Sequence, residues 1–240
     1  SSPLNVIPMT PTIHHTKTFV SDAAALIKGA AHQAIKDRGI FRLALSGGNT
    51  PRPVYEAMAS SQFGMAASDW VNWEVTFSDE RCVPPTSEQS NFRMASEALL
   101  DHVAIPTENV LRMRGEAIPE QAAADYEEQL RSRAATAHYR HDLILLGMGE
   151  DGHTASLFPD TSALRVTDRL VVSNFVPKLG TQRLTFTYPL LNAARHVCFL
   201  VNSTGKENIL EEVFSGKSTY PCAAVQPTDG QLTWLLGTGA

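Results

Sequence analysis

The stretch Arg42-Leu43-Ala44-Leu45-Ser46-Gly47-Gly48-Asn49-Thr50-Pro51 passes from a short apolar run into a glycine turn and on to a helix expected over Pro53–Ser60. A brief, nearly continuous apolar run bounded by turn residues reads as a strand covered on both faces. A proline near the first helical position marks where the next element begins. The same pattern recurs along the chain. Strands are expected at Arg42–Leu45, Trp73–Phe77, Asp142–Leu146, Leu170–Val172, Arg183–Thr187, Val197–Val201 and Leu232–Leu236. Helices are expected at Asp22–Arg38, Pro53–Ser60, Phe92–His102, Pro119–Ala137 and Gly205–Phe214, the first with Ser21 as N-cap and Gly39 just past its end. Strands separated by helices need crossover connections, and so predict an α/β fold with a mainly parallel sheet flanked by helices. Ligands of such sheets sit beyond the carboxyl ends of the strands. The loops after Leu45, Phe77 and Leu146 are therefore where chemistry is sought.

Composition narrows the partners. The 240 residues suffice for one large domain or two small ones, and 43% hydrophobic with 19% charged residues is ordinary for a globular protein. A net charge of −5, with no Lys/Arg run, argues against nucleic acid. An anionic substrate would have to be met by cations gathered locally. Cys82, Cys198 and Cys222 are odd in number and widely spaced, as expected of reduced thiols in a cytosolic protein. No apolar run approaches the length of a membrane span, and Ser1–Thr12 lacks the basic and apolar regions of a secretory signal. The chain is expected to be a cytoplasmic monomer with a small-molecule partner.

The three loops are unusual. In Ser46-Gly47-Gly48-Asn49-Thr50-Pro51, two glycines let backbone N–H groups converge, Ser46 and Thr50 add hydroxyls, and the following helix adds positive potential. This is an anion site or, equally well, a tight turn that binds nothing. It lacks the Gly-Lys-Ser/Thr ending of a Walker loop. In Ser78-Asp79-Glu80-Arg81-Cys82-Val83-Pro84-Pro85, three charges end an apolar strand, where packing hardly explains them and a solvated turn is the ordinary alternative to function. Arg81 can pair with a phosphate or with its acidic neighbours. The third loop, Gly147-Met148-Gly149-Glu150-Asp151-Gly152-His153, contains a formal G-x-G-x-x-G. Dinucleotide binding is rejected, because Glu150 and Asp151 would place carboxylates where a pyrophosphate should lie. Asp151 and His153 read better as a pair across Gly152: a histidine suited to general-base catalysis and a carboxylate that orients it or raises its basicity. A capping aspartate beside a structural histidine is the ordinary alternative.

Other chemistry is not visible. There is no G-x-S-x-G elbow, H-E-x-x-H or paired C-x-x-C, so neither a serine nucleophile nor a metal is expected. His14-His15 reads as surface. Arg183 and Lys206 are unremarkable alone, but would complete a phosphate clamp if brought beside the first loop.

Taken in order, Ser46-Gly47-Gly48-Asn49-Thr50-Pro51, Asp79-Glu80-Arg81-x-Val83-Pro84, Ser90-Asn91 and Gly147 through Pro159 resemble the 6-phosphogluconolactonase family. So do Val176-Pro177-Lys178, Gln182-Arg183-Leu184-Thr185, Leu191 through Arg195 and Leu200-Val201 leading to Lys206. The resemblance implies one Rossmann-like domain over residues 1–240, shared with glucosamine-6-phosphate deaminases and with sugar-binding effector modules. It implies hydrolysis of a phosphorylated sugar lactone in the oxidative pentose phosphate pathway, without cofactor. By matching motif, His153 is the base that activates water and Asp151 its partner. Ser46, Gly47, Gly48, Asn49, Thr50, Asp79, Arg81, Arg183 and Lys206 surround the substrate, with Arg183 and Lys206 favoured for the phosphate. A deaminase of the family follows its histidine with a run ending Asn-Glu-Pro and has Tyr in place of Arg81; this chain has Ser156-Leu157-Phe158-Pro159. It departs from the family pattern at Ser203, where glycine is expected and Gly205 comes later, and at its end, Gly237-Thr238-Gly239-Ala240. A non-catalytic effector module is disfavoured by the Asp151/His153 pair and the lack of a basic extension.

Overall fold

The computed structural model describes residues 10–135 and 137–238. The first nine residues of the stretch read for a leader, Thr136 within the expected fifth helix, and the final Gly239-Ala240 lie outside the described residues. The elements are β1 (Thr12–Thr16), α1 (Phe19–Arg38), β2 (Phe41–Leu45), α2 (Arg52–Met58), α3 (Ala67–Trp70), β3 (Trp73–Phe77), β4 (Asp79–Arg81), α4 (Asn91–Ala98) and α5 (Pro119–Ala134). They continue with β5 (Leu143–Leu146), β6 (Val171–Val176), β7 (Thr181–Phe186), α6 (Tyr188–Asn192), β8 (His196–Asn202), α7 (Glu207–Phe214) and β9 (Gln231–Gly237).

Six strands form one all-parallel sheet in the order β1-β9-β8-β5-β2-β3, as the alternation of strands and helices predicts. Its strands are apolar on both faces because both faces are covered. Along β5, Leu143 and Leu145 pack on one side with Ile27 and Ala31 of α1, Val54 of α2 and Ala95 of α4. Ile144 and Leu146 pack on the other with Tyr126 of α5, Phe186 of β7 and Leu210 of α7. All four β5 residues are fully buried. Each such leucine contributes about 1.5–3 kcal/mol relative to exposure.

The direction of strand addition reverses between β2 and β5: the chain steps from β2 outward to β3, then back past β2 to β5, β8 and β9. A switch of this kind opens a crevice at the carboxyl ends of the two strands. The three loops singled out above follow β2, β3 and β5, which are neighbours, so all three meet at that crevice.

Several elements differ from expectation. The charged triplet Asp79-Glu80-Arg81 is β4, the edge of a separate antiparallel sheet ordered β4-β7-β6. β6 runs on to Val176 instead of stopping at Val172, because its ladder with β7 continues through Ser173 and Asn174 to Val176, the fully buried Asn174 being satisfied as its Nδ2 donates to Ser156 O (2.9 Å) and Thr161 Oγ1 (3.0 Å). β1 lay unrecognised in an exposed polar stretch, and His14 and His15 are exposed on it, as expected. α1 starts at Phe19, so Ser21 lies inside the helix and its hydroxyl donates to Thr18 O (3.1 Å) instead of capping. Its far end is as expected: Gly39, at φ 77°, donates its N–H to Ile35 O (2.8 Å).

Candidate active site

The Ser46–Pro51 loop hangs from the end of β2 and is braced by α2. Tyr55 of α2 donates its phenol to Ser46 O (2.8 Å) and accepts the Ser46 N–H (2.9 Å). The Ser46 amide is thus taken. Among the described residues the N–H groups of Gly47, Gly48, Asn49 and Thr50 have no backbone acceptor, and all four residues line the crevice. α2 has only seven residues, so an anion at this turn would meet the turn's own amides more than a helix dipole.

The charged triplet divides into three tasks. Glu80 is buried and caps α4: its carboxylate accepts from the N–H groups of Asn91 (2.8 Å) and Phe92 (3.0 Å), from Ser90 Oγ (3.0 Å) and from Arg81 N (2.8 Å). Burial raises its pKa against those four donors. Asp79, also buried, faces the crevice and ties loops together, accepting from Ser156 Oγ (2.7 Å) and Asn91 Nδ2 (3.2 Å). Arg81 points its guanidinium along the crevice wall, with Nη1 donating to Gln89 O (2.7 Å) and Nε buried without a protein acceptor. Arg81 is the register partner of Arg183 across β4 and β7, so two guanidinium-bearing residues stand side by side. Burial, and then the Arg81 charge, lower the Arg183 pKa, while Asp79 opposes both.

After β5 the chain makes a tight turn. Gly149 N–H donates to His153 O and Gly152 N–H to Gly149 O, both at 2.9 Å. His153 Nδ1 stands 2.5 Å from Asp151 Oδ1, and the same oxygen accepts the His153 N–H (3.1 Å). Asp151 Oδ2 accepts from Lys178 Nζ. Burial alone would raise the Asp151 carboxyl, but the bonds from Lys178 and His153 overcome it and hold the group at about 2. The imidazole stacks on Phe158, centroids 4.1 Å apart and planes 17° apart. The glycines that mimic a dinucleotide fingerprint serve this packing. A Cβ on Gly149 would lie 2.1 Å from His153 Cε1, and one on Gly152, at φ 76°, would lie 2.5 Å from Tyr220.

Lys206 precedes α7 and reaches back across the sheet ends, donating Nζ to Met148 O (2.7 Å). Burial lowers its pKa and Glu150 opposes that. The turn that delivers it uses Gly205 at φ 80°, while Ser203 donates its hydroxyl to Gly237 O (2.8 Å) at the end of β9. The crevice therefore gathers Ser46, Gly47, Gly48, Asn49, Thr50, Asp79, Arg81, His153, Arg183 and Lys206. Asp151 stands behind His153, outside the lining. Sequence reading gave no role to Lys178, Ser156 or Asn91. All three belonged to matched motifs, and that was their only signal. Among the described residues no group of three or more His, Cys, Asp or Glu is placed to hold a metal ion. No described helix is long and apolar enough to cross a membrane.

The arrangement sets an imidazole, oriented by a carboxylate, at a cleft whose free amides and three cations suit a phosphorylated ligand. Comparison with known proteins points the same way. A family model described as glucosamine-6-phosphate isomerases/6-phosphogluconolactonase matches residues 14–234. A 6-phosphogluconolactonase of Synechocystis is 43% identical over 237 residues, covering 95% of this chain and 95% of its own. The crystal structure of 6-phosphogluconolactonase from Thermotoga maritima superposes with a TM-score of 0.84 at 30% identity, covering 95% of this chain and 100% of that one. A monomeric glucosamine-6-phosphate deaminase, at 16% identity and TM-score 0.77 over 94% of this chain and 97% of its own, shares the fold.

Proposed function

The chain belongs to the glucosamine-6-phosphate isomerase/6-phosphogluconolactonase family, and on that premise we propose that it hydrolyses 6-phospho-D-glucono-1,5-lactone to 6-phospho-D-gluconate by attack of a His153-activated water. The 43% identity to a lactonase over nearly the full length supports hydrolysis over deamination. One observation carries the mechanism: the 2.5 Å contact between His153 Nδ1 and Asp151 Oδ1, with the imidazole lining the cationic cleft.

With Nδ1–H donated to Asp151, the Nε2 lone pair is free to accept a proton. A water between Nε2 and the lactone carbonyl carbon gives up that proton as its oxygen bonds to carbon. The tetrahedral intermediate then collapses, breaking the bond from carbon to the ring oxygen, and the imidazolium returns its proton to that oxygen. The acid product loses a proton to solvent. General-base assistance is worth about 10²–10⁴-fold. The Gly47–Thr50 amides, Arg183 and Lys206 hold the phosphate and supply orientation. Phe158 gives the imidazole an apolar partner in the stretch where a deaminase carries a relay carboxylate, which suits a reaction needing one base and one water. A pH-stat assay on freshly made lactone, corrected for spontaneous hydrolysis, tests the reading. Acceleration over the blank is expected, and its absence would refute the proposal.

A further inference from the structure

We infer that Lys178 is a positioning residue for catalysis, holding the Asp151 carboxylate in the orientation that fixes His153. The inference rests on His153 being the base. Lys178 lies in the turn Pro177–Leu179 joining β6 to β7, closed by Gly180 at φ 61°. This hairpin is remote in sequence from the Asp151 loop and meets it only in the fold.

The Asp151 carboxylate has two oxygens with separate tasks. Oδ1 takes both donors of His153, the ring Nδ1 and the backbone N–H. Oδ2 takes Lys178 Nζ. Among the described residues these are its hydrogen-bond partners, so removal of the ammonium frees the group to rotate about Cβ–Cγ and turn an oxygen to solvent. Rotation loosens the acceptor that keeps the proton on Nδ1 and the lone pair on Nε2. Lys178 also stands 5.5 Å from the centroid of Phe158, the ring on which His153 stacks. One cation thus braces both groups that hold the imidazole. Neither Lys178 nor Asp151 lines the cleft, so Lys178 approaches from behind and acts through Asp151, not on substrate.

Stability does not account for the contact. The Lys178 side chain is 56% exposed, and exposed ion pairs contribute little to folding. Electrostatics adds a second consequence. With Lys178 in place the imidazole faces an ion pair; without it, a bare carboxylate, which favours the imidazolium. The other charged or titratable groups around the pair are Glu150 and Lys206, Arg183 above Phe158, and Tyr220 and Cys222 beside Gly152. All of them are retained in the variants below.

The test measures kcat, KM and the pH profile of lactone hydrolysis for Lys178→Met, Lys178→Arg, Asp151→Asn and the Met/Asn double variant, with His153→Gln in parallel. Lys178→Met should lose about tenfold in kcat, a fraction of what a general base supplies, with KM unchanged and melting temperature retained. The acid limb of its kcat/KM profile should move to higher pH. Lys178→Arg should recover most of kcat. In the Asp151→Asn background the Met substitution should add almost nothing, since its effect passes through that carboxylate. Unchanged kcat in Lys178→Met, a rise in KM alone, or an undiminished effect in the Asn background would each overturn the inference. Normal turnover by His153→Gln would instead refute the base assignment beneath it.

Discussion

His153 and the cations around it make separable contributions. His153→Gln should abolish most turnover while leaving binding of 6-phosphogluconate nearly intact, because in the proposed mechanism the imidazole acts on water and the clamp holds the phosphate. Kinetics paired with calorimetric titration of the product checks this, and turnover close to wild type would contradict it. Arg183→Ala and Lys206→Ala should mainly raise KM, by a loss on the order of 1.5–3 kcal/mol each. The loss should appear with the phosphorylated lactone and vanish with the unphosphorylated one. A fourth residue makes stability depend on pH. His141 is fully buried, with Nε2 2.8 Å from Thr76 Oγ1 and Nδ1 unpartnered. Burial, and then the charge of Arg42, depress its pKa to about 3. The unfolded chain therefore binds a proton there that the native chain refuses, and stability falls as pH drops from the ordinary imidazole range towards 3. Between pH 7 and pH 5 this amounts to about 2 kcal/mol. Urea unfolding at the two pH values should show that loss, and His141→Gln should lack it. The Asp151/His153 pair was legible because its members are two residues apart. The bond from Ser156 to Asp79 spans 77 positions and left no local trace.

Elements place these residues, and they were legible to the degree that their burial was apolar. β2, β3, β5, β8 and β9 announced themselves as apolar runs covered on both faces. β4 did not. Asp79 and Glu80 are buried through hydrogen bonds instead of apolar contact, so a strand with two carboxylates inside read as a charged loop. β1 failed for the opposite reason, since four of its five residues are exposed and carry no alternation. The turn after β5 was read as non-nucleotide from the carboxylates of Glu150 and Asp151, whereas the packing that its glycines serve was invisible to the sequence. Gly149→Ala tests that packing. The added Cβ would fall 2.2 Å from His153 Nδ1, so the ring must leave its place beside Asp151. A loss in kcat on the order of 10²-fold, with the melting temperature little changed, is expected from such a displacement. Unaltered kcat would show that the ring's position is not critical.

At the scale of the molecule, the crevice is assembled from loops that follow four neighbouring strands, with the β6–β7 hairpin closing one side. Incubation with glucosamine 6-phosphate should release no ammonia while the lactone is consumed, and exhaustive chelation should leave lactone hydrolysis unchanged. Activity lost to a chelator and restored by one divalent ion would contradict the water-and-histidine mechanism. The sheet also sets an order in time. β1 has a single partner, β9, which is made more than 200 residues later. At about 5–20 residues per second on the ribosome, the first strand emerges and waits roughly ten to forty seconds for its neighbour. Its sequence, Thr12-Ile13-His14-His15-Thr16, is wettable enough to wait without recruiting a wrong strand. The polarity that concealed β1 from a sequence reader is what lets the nascent chain carry it safely until the sheet can close.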